Sequence, residues 1–577
     1  MLEQTVKNLN WVIADPPDND KVSEISRELG LTAAAAKLLC QRGCDSPKLA
    51  KNYISDASAR FYDPFRLAGM REAVDRICEA LKKREKILIY GDYDADGVTS
   101  TAILYDYLRI NSADVKFHIP DRFAEGYGVS ADVVKKYAED GFGLVITVDC
   151  GVTAVEEVKM AREMGLDFVV TDHHECRDVL PDCPTVDPRR PDCAYPFKDL
   201  AGVGVAFKLI CALETVLRKT EPLKALGFAV RRYAEIITLG TIADVMPLTG
   251  ENRTIVKYGL RCLEHPSNLG LRRLMFAASL TEPDGTLKRR MSSTTVPFAL
   301  APRINAAGRM ESANLALELL LTEFPERADA LAKRLCELNS RRQDLEFSIA
   351  TDAERLISLQ CRPDDRVIVV CGEGWHHGVI GIVASRITEK FNLPTIVLTD
   401  DGDVLKGSGR SVEGFELIGA IGKCGDLLTK YGGHAMAAGL SLKRENLENF
   451  RRRLNDLAKM TEIPAPKLPI DLELDPNELD LRLAKEISLL EPFGAGNPEP
   501  VLAARGLTID EIYPLSGGKH TKLTLRAGAR RFTGLLFGQK TDEFGFRTGD
   551  VIDAAFNLSQ NDFGGKISLQ LLLKDCK

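Results

Sequence analysis

Between residues 85 and 245 the chain alternates short, wholly apolar runs with stretches of helical period. KILIY precedes VTSTAILYDYLRI, VKFHIP precedes SADVVKKYAED, LVITV precedes TAVEEVKMAREMG, and DFVV precedes TDHHE. Strands apolar on both faces, each followed by a helix, predict a mainly parallel sheet covered on both sides. Such sheets bind ligands beyond the carboxyl ends of their strands, so the residues just after each run are where chemistry is to be sought.

Further on the period changes. Leu331, Leu335, Leu338, Leu345, Ile349 and Leu356 recur three, four and seven apart among many charges, which predicts a long amphipathic helix over 311–361 joining two lobes. RVIVVCGEGWHHGVIGIVASRITEKF followed by PTIVLT reads as strand, glycine-rich loop, helix and strand, a second α/β domain over 362–460. Beyond the Pro/Gly loop LEPFGAGNPEP the pattern shortens to VLAARGLTIDEIY, HTKLTLRAG, RRFTGLLFG, VIDAAFNLSQ and KISLQLLLKD, about five strands of a small OB-like β-barrel within 461–577. Residues 1–50 read as an N-terminal helical appendage and 51–310 as the body that carries the parallel sheet. The expected fold class is α/β and multidomain, with two α/β domains joined by a long helix and a C-terminal barrel.

Composition narrows the function classes. A length of 577 residues divides into about three or four domains on a prior of ~150 residues each. No apolar run approaches the ~18 residues that span a bilayer, and the N-terminal stretch lacks a basic region leading into an apolar core, so no membrane partner and a cytoplasmic location are expected. The fourteen cysteines include no Cys-x-x-Cys pair, Cys40 and Cys44 being the closest, which argues for reduced, mostly buried thiols. A net charge of −7 excludes coating of nucleic acid through overall charge but leaves room for a local basic groove.

Candidate chemistry gathers at one sheet edge. Asp92, Asp94 and Asp96 fall on alternate residues of GDYDADG, between a strand and a helix. One aspartate there is an ordinary helix cap, but three carboxylates in five residues repel one another unless a cation neutralises them. Asp149 ends LVITVD, Asp172, His173 and His174 follow DFVVT, and Asp244 interrupts the apolar segment EIITLGTIADV. Each alone has a bland reading as a cap or a satisfied core group. Together, acidic oxygens with one or two imidazoles suit Mn²⁺ or Mg²⁺ better than a thiolate zinc site.

GDYDADGVTSTA, VITVDCG, VVTDHHE and LGTIADV resemble the successive motifs of the DHH phosphoesterase superfamily. PRINAAGRM (Pro302–Met310), GSGRS and GGHAMAAG resemble its bacterial RecJ branch and the DHHA1 domain of that branch, and the likeness runs from about residue 60 to 577. The resemblance implies a DHH catalytic domain, a DHHA1 domain and an OB-fold nucleic-acid-binding domain. It implies a metal-dependent 5′→3′ exonuclease specific for single-stranded DNA with a 5′ end, releasing 5′-mononucleotides in recombination and repair with two Mn²⁺ or Mg²⁺ ions. By position, Asp92, Asp94, Asp96, Asp149, His173 and Asp244 become metal ligands, with Asp149 the bridge and Asp92 either a direct ligand or a supporting one. Asp149, Asp172 and His174 become the catalytic set, Asp172 orienting a histidine and His174 facing the scissile phosphate. Direct hydrolysis, with no covalent protein nucleophile, follows. A monomer, with a single-strand-binding protein and a RecQ-type helicase as partners, is also implied.

The strand itself needs a grip. In GSGR, Gly407, Ser408, Gly409 and Arg410 offer free backbone N–H groups, a hydroxyl and a guanidinium, which read either as a glycine-rich turn or, with the resemblance, as a 5′-phosphate pocket. Arg303 and Arg309 of RINAAGR are further phosphate contacts, and Arg122, before GYG, is placed to hinder duplex entry. His376 and His377 open a helix and suit DNA phosphate or a second metal site, while His434 sits in a glycine-rich loop suited to a substrate backbone or to core packing. Lys519, His520, Lys522, Arg526, Arg530 and Arg531 beside Phe532 suit stacking and backbone neutralisation, or a merely solvated barrel face. Two lobes with a channel too narrow for duplex would select single strands sterically. The rival readings are a related phosphodiesterase for cyclic dinucleotides or very short oligonucleotides, and a non-catalytic replication scaffold.

Overall fold

In the computed structural model, which describes residues 9–55, 61–122, 125–126, 128–563 and 566–577, each apolar run before residue 245 becomes a strand. Lys86–Tyr90, Asp114–His118, Leu144–Val148, Asp167–Thr171 and the short Thr185–Val186 form one five-stranded sheet. All its neighbours pair in parallel, in the order Asp114–His118, Lys86–Tyr90, Leu144–Val148, Asp167–Thr171, Thr185–Val186. Leu144–Val148 is buried along its whole length, as a central strand covered on both faces requires. The carboxyl ends of Lys86–Tyr90, Leu144–Val148 and Asp167–Thr171 lie side by side, which brings the candidate chemistry to one edge.

The chain divides into two compact units. The larger, 12–308 with 312–335 and 469–577, contains that sheet, the N-terminal helices and the barrel. The smaller consists, among the described residues, of 9–11, 309–311 and 336–468 and holds a second five-stranded sheet. In it Ile368–Gly372 and Thr395–Asp401 pair in parallel, while Val404–Arg410, Ala437–Lys443 and Leu428–Gly433 continue antiparallel.

That topology corrects the reading of GSGR. Gly407, Ser408, Gly409 and Arg410 are not a loop with free N–H groups but the end of a central strand, laddered to Thr395–Leu398 on one side and to Ala437–Leu440 on the other. The glycines hid the strand by breaking its alternation, and Gly407 is small because a Cβ there would meet Leu398 Cδ2 at 2.5 Å.

The barrel has the five long strands expected: Leu502–Leu515, His520–Ala527, Arg530–Leu536, Val551–Phe563 and Lys566–Cys576. It closes because Leu502–Leu515 pairs with both His520–Ala527 and Val551–Phe563. Its core does not end with its own strands. Val22, Ile25, Leu38 and Leu39, from the helices Asn19–Leu29 and Ala33–Gln41, join one apolar cluster with Leu502, Leu523, Phe556 and Leu571. Glu486 Oε2 accepts from Thr32 N at 2.8 Å, fixing the start of the second helix. The helices read as an appendage are thus part of the barrel's packing.

The long helix is present as Pro325–Gln360, 36 residues and about 54 Å at 1.5 Å per residue. It starts later than 311. A separate helix, Asn314–Leu321, ends first, and Pro325 opens the long one at the position where a missing N–H costs nothing.

Candidate metal centre

GDYDADG turns from the strand Lys86–Tyr90 into the helix Ala95–Ile110. Asp94 caps that helix, its Oδ1 accepting from Asp96 N at 2.9 Å and Gly97 N at 3.1 Å, so the cap reading holds for this one aspartate. Asp92 and Asp96 are buried instead. Asp96 is anchored at the N-terminus of the helix Gly202–Leu217, with Gly202 N donating to Oδ2 at 2.7 Å and Val203 N to Oδ1 at 2.9 Å. Those bonds come from backbone donors that a helix start leaves free, and the helix dipole favours the carboxylate there.

Asp149 follows its strand directly and adopts φ +61, a left-handed conformation that aspartate tolerates better than most residues. Its carboxylate reaches the centre because residue 202 is glycine: a Cβ there would lie 2.6 Å from Asp149 Oδ1. At the end of the neighbouring strand, Asp167–Thr171, Asp172 works inside TDHHE. Its Oδ1 accepts from His173 N at 2.7 Å, His174 N at 3.2 Å and His174 Nδ1 at 2.7 Å, and its Oδ2 from Val152 N at 2.9 Å. Asp172 therefore sets the direction of His174 and shapes the turn that aims His173 inward.

His173 Nε2 lies 3.0 Å from Asp149 Oδ1, 3.6 Å from Asp244 Oδ2 and 3.9 Å from Asp96 Oδ2. Among the described residues three sets of side chains have ligand atoms within 4.8 Å of one another: Asp92, Asp94 and Asp149; Asp96, His173 and Asp244; and Asp149, His173 and His174. The first two sets share no residue, and Asp149 and His173 stand at their junction. All six residues expected as ligands are brought together, Asp92 included.

Electrostatics fit a cation. Burial, then the neighbouring Asp94, raises Asp92 from 3.8 to about 7, and the same two causes raise Asp244 to about 7. Burial and like charges push Asp96 and Asp149 well above the carboxylate range. Burial and the adjacent His174 lower His173 to about 4, leaving a neutral imidazole able to donate a lone pair. Asp92 Oδ1, Asp149 Oδ1 and His173 Nε2 are buried with no hydrogen-bond partner among the described residues. Acceptors crowded this way require protons or divalent ions among them.

The two occupants compete, which fixes a pH dependence. Because the folded state holds protons on Asp92 and Asp244 that the unfolded chain has already lost above pH 3.8, metal-free stability should fall between about pH 4 and about pH 7. Mn²⁺ displaces those protons, so the rise in Tm that it causes should be larger at pH 8 than at pH 5.5. Thermal denaturation with and without Mn²⁺ at the two pH values checks this, and an equal rise at both would refute the displacement.

Three family models match: the DHH family N-terminal domain over 86–241, the DHHA1 domain over 364–460 and the RecJ OB domain over 470–575. The single-stranded-DNA-specific exonuclease RecJ of Bacillus subtilis is 39% identical over 574 residues, covering 98% of this chain and 70% of that protein. The chain belongs to the RecJ family. The RecJ of Escherichia coli is 34% identical over 528 residues, with 88% and 90% of the two chains covered. The crystal structure of RecJ from Thermus thermophilus in complex with Mn²⁺ superposes with a TM-score of 0.84 at 32% identity, covering 99% of this chain and 80% of that one.

The RecJ-type segment PRINAAGRM has a structural role at this centre that its sequence did not announce. Asn305 Oδ1 accepts from Ala95 N at 2.8 Å, and Gly308 is glycine because a Cβ would lie 2.6 Å from Tyr93 O. The helix Ala301–Met310 thus buttresses the aspartate loop. Arg303 donates to Ala299 O in the larger unit, and Arg309 to Gly378 O at 3.1 Å in the smaller. Arg122 lies over the Tyr93 ring, 5.0 Å from its centroid, while Tyr127 of GYG falls outside the described residues.

In the smaller unit His376 is the N-cap of the helix His377–Phe391, its Nδ1 accepting from Gly378 N at 3.1 Å. Among the described residues neither His376 nor His377 joins a metal-ligand set. His434 is exposed at the tip between two antiparallel strands, which removes its core reading. In the barrel, Phe532 is only 4% exposed and belongs to the core, so it offers no stacking face. Arg530 is spent on the carbonyls of Pro476, Asn477 and Leu479, and Arg526 and Arg531 pair with Asp510. Among the described residues the large aromatics exposed there are Phe537 and Tyr513, and the His520 ring lies 5.3 Å from that of Phe537. Sequence reasoning passed over both because position in the barrel, not composition, decides which face each ring takes.

Proposed function

We propose that this chain is a single-stranded-DNA-specific exonuclease that hydrolyses phosphodiesters from a 5′ end and releases 5′-mononucleotides. The observation that carries the reading is the pair of ligand sets meeting at Asp149 and His173, in a chain related to RecJ over nearly its whole length. Asp92, Asp94 and Asp149 would hold one Mn²⁺ or Mg²⁺, and Asp96, His173 and Asp244 the other, with Asp149 between them. When bound, such a pair would supply an activated water and positive charge for the nonbridging phosphate oxygen and the leaving 3′ oxygen. His174 serves the substrate. Although burial disfavours its charge, the hydrogen-bonded Asp172 carboxylate raises it to about 9 without metal, which favours an N–H that can donate to a phosphate oxygen. Its partly exposed side chain, at 40%, is open to that contact.

For the 5′ phosphate, Ser408 and Arg410 remain the best candidates after the correction above, through their side chains and not through Gly409 or any other backbone group of that strand. Two residues apart, they share one face, and both approach the helix His377–Phe391. A Cβ on Gly381 would lie 3.0 Å from Ser408 Oγ and 3.4 Å from Arg410 Nη2. Arg410 Nη1 donates to Ser408 Oγ at 3.1 Å, which fixes the fork. An Arg410→Ala variant is expected to lose about ten-fold or more in kcat/KM on 5′-phosphorylated strands, the scale of a charge-assisted hydrogen bond, and little on 5′-hydroxyl strands. Comparing the two substrates checks it.

A monomeric cytoplasmic enzyme working with a single-strand-binding protein and a RecQ-type helicase is supported by the family resemblance. No described helix is long and apolar enough to cross a membrane. The deciding experiment offers purified protein 5′-phosphorylated single-stranded DNA, blunt duplex and a cyclic dinucleotide with Mn²⁺. Mononucleotides from the single strand alone are expected. Cleavage of the cyclic dinucleotide with the single strand intact would overturn the reading.

A further inference from the structure

Resting on that nuclease reading, we propose that Arg189 is a substrate-binding residue that exchanges its partner Glu175 for a phosphodiester of the bound strand. Glu175 is the last residue of TDHHE, directly after His174. Arg189 comes from the next strand: Thr185–Val186 is pinned beside the histidines by Asp172 N donating to Val186 O at 3.1 Å. Immediately after it, the fully buried Asp187 accepts from Arg189 N through Oδ1 at 2.7 Å, a turn that folds residue 189 back toward the sheet edge. The guanidinium then meets Glu175, with Nη1 2.5 Å from Oε1.

Two features make this pair a holding position and not a structural tie. Glu175 is 72% exposed and Arg189 29%, and an ion pair so open to water contributes little. Arg189 also lies at the sheet edge that carries the centre, just past the strand pinned beside the histidines and tied by its own N–H to Asp187. Its neighbour Arg190 is different, being committed to Asp192 and Thr185 O. A guanidinium prefers a phosphate, which it can grip by two oxygens, to a single solvated carboxylate oxygen. A strand entering the centre brings such a group, and Glu175, released to water, loses nothing of consequence.

Single-stranded DNA binding and steady-state nuclease kinetics on Arg189→Gln, Glu175→Gln and the double variant test this. Arg189→Gln should raise KM about ten-fold, with a smaller change in kcat and an unchanged Mn²⁺ midpoint by thermal shift. Arg189→Lys should recover part of the loss. Glu175→Gln should tighten strand binding two- to five-fold, about the worth of a weak surface pair, and have no effect in the Arg189→Gln background. An unchanged KM in Arg189→Gln, or a Glu175→Gln effect that persists without Arg189, overturns the proposal. A wild-type protein that releases no nucleotides fails the nuclease reading instead, which separates the two.

Discussion

Asp149→Asn is expected to slow nucleotide release about a thousand-fold or more while leaving the metal-free protein as stable as before or more so. The two halves have one cause. Asp149 is buried at φ +61 between the ligand sets, and desolvation together with Asp96, Asp94, Asp92 and Asp244 disfavours its charge. Asparagine fills the same volume, tolerates the left-handed backbone, and can donate its amide to His173 Nε2, 3.0 Å from the oxygen it replaces. Removing a repelled carboxylate therefore relieves the folded state. For catalysis the sign reverses, because an amide would hold cations less well than a carboxylate and several kcal/mol of charge stabilisation would be lost, each 1.36 kcal/mol being worth ten-fold. Measured together, the metal-free Tm should hold or rise, the Mn²⁺-induced rise should shrink, and turnover should collapse. A variant that melts well below wild type without metal would show that Asp149 stabilises the fold, and would sink the account.

The second large effect concerns stability. A chain lacking residues 1–55 should fail to keep a folded barrel, although it retains every strand of it. The helices it loses carry Val22, Ile25, Leu38 and Leu39 into the barrel core, each 5% exposed or less. Large apolar side chains removed from a core cost about 2–5 kcal/mol apiece, and several together match the ~5–15 kcal/mol that holds a typical domain together. Because so severe a truncation invites aggregation, Leu38→Ala gives the graded version, with an expected loss of about 2–5 kcal/mol in chemical denaturation. Its metal response should be normal, since Leu38 belongs to a core cluster that contains none of the ligand residues. A barrel that melts unchanged in both variants would return these helices to the status of an appendage.

Much of the centre was legible in order along the chain. Three aspartates on alternate residues, a lone aspartate ending an apolar run and two histidines ending another point to one sheet edge as soon as the sheet is known to be parallel. Asp187 and Arg189 were not legible in the same way. Their strand, Thr185–Val186, is two residues long, too short to leave a periodic signal, and only its pairing with Asp167–Thr171 carries them to that edge. GSGR misled for a related reason. Glycine and serine read locally as a turn, whereas the structure uses glycine there to let neighbouring side chains close over a central strand.

By itself the sequence determined the parallel sheet, the long helix, the strands of the barrel and which acidic and histidine residues end at one sheet edge, because each is written in local period or in residue type. The tertiary structure alone decided what depends on contacts between distant segments. It made Asp149 and His173 the junction of two ligand sets, and it used glycine at 202 and 308 to let backbones approach the centre. It buried Phe532 while exposing Phe537, and it set helices near residue 30 into the core of a barrel formed some 500 residues later. Periodicity reports which face of an element is apolar, but which partner covers that face is settled only when the whole chain packs.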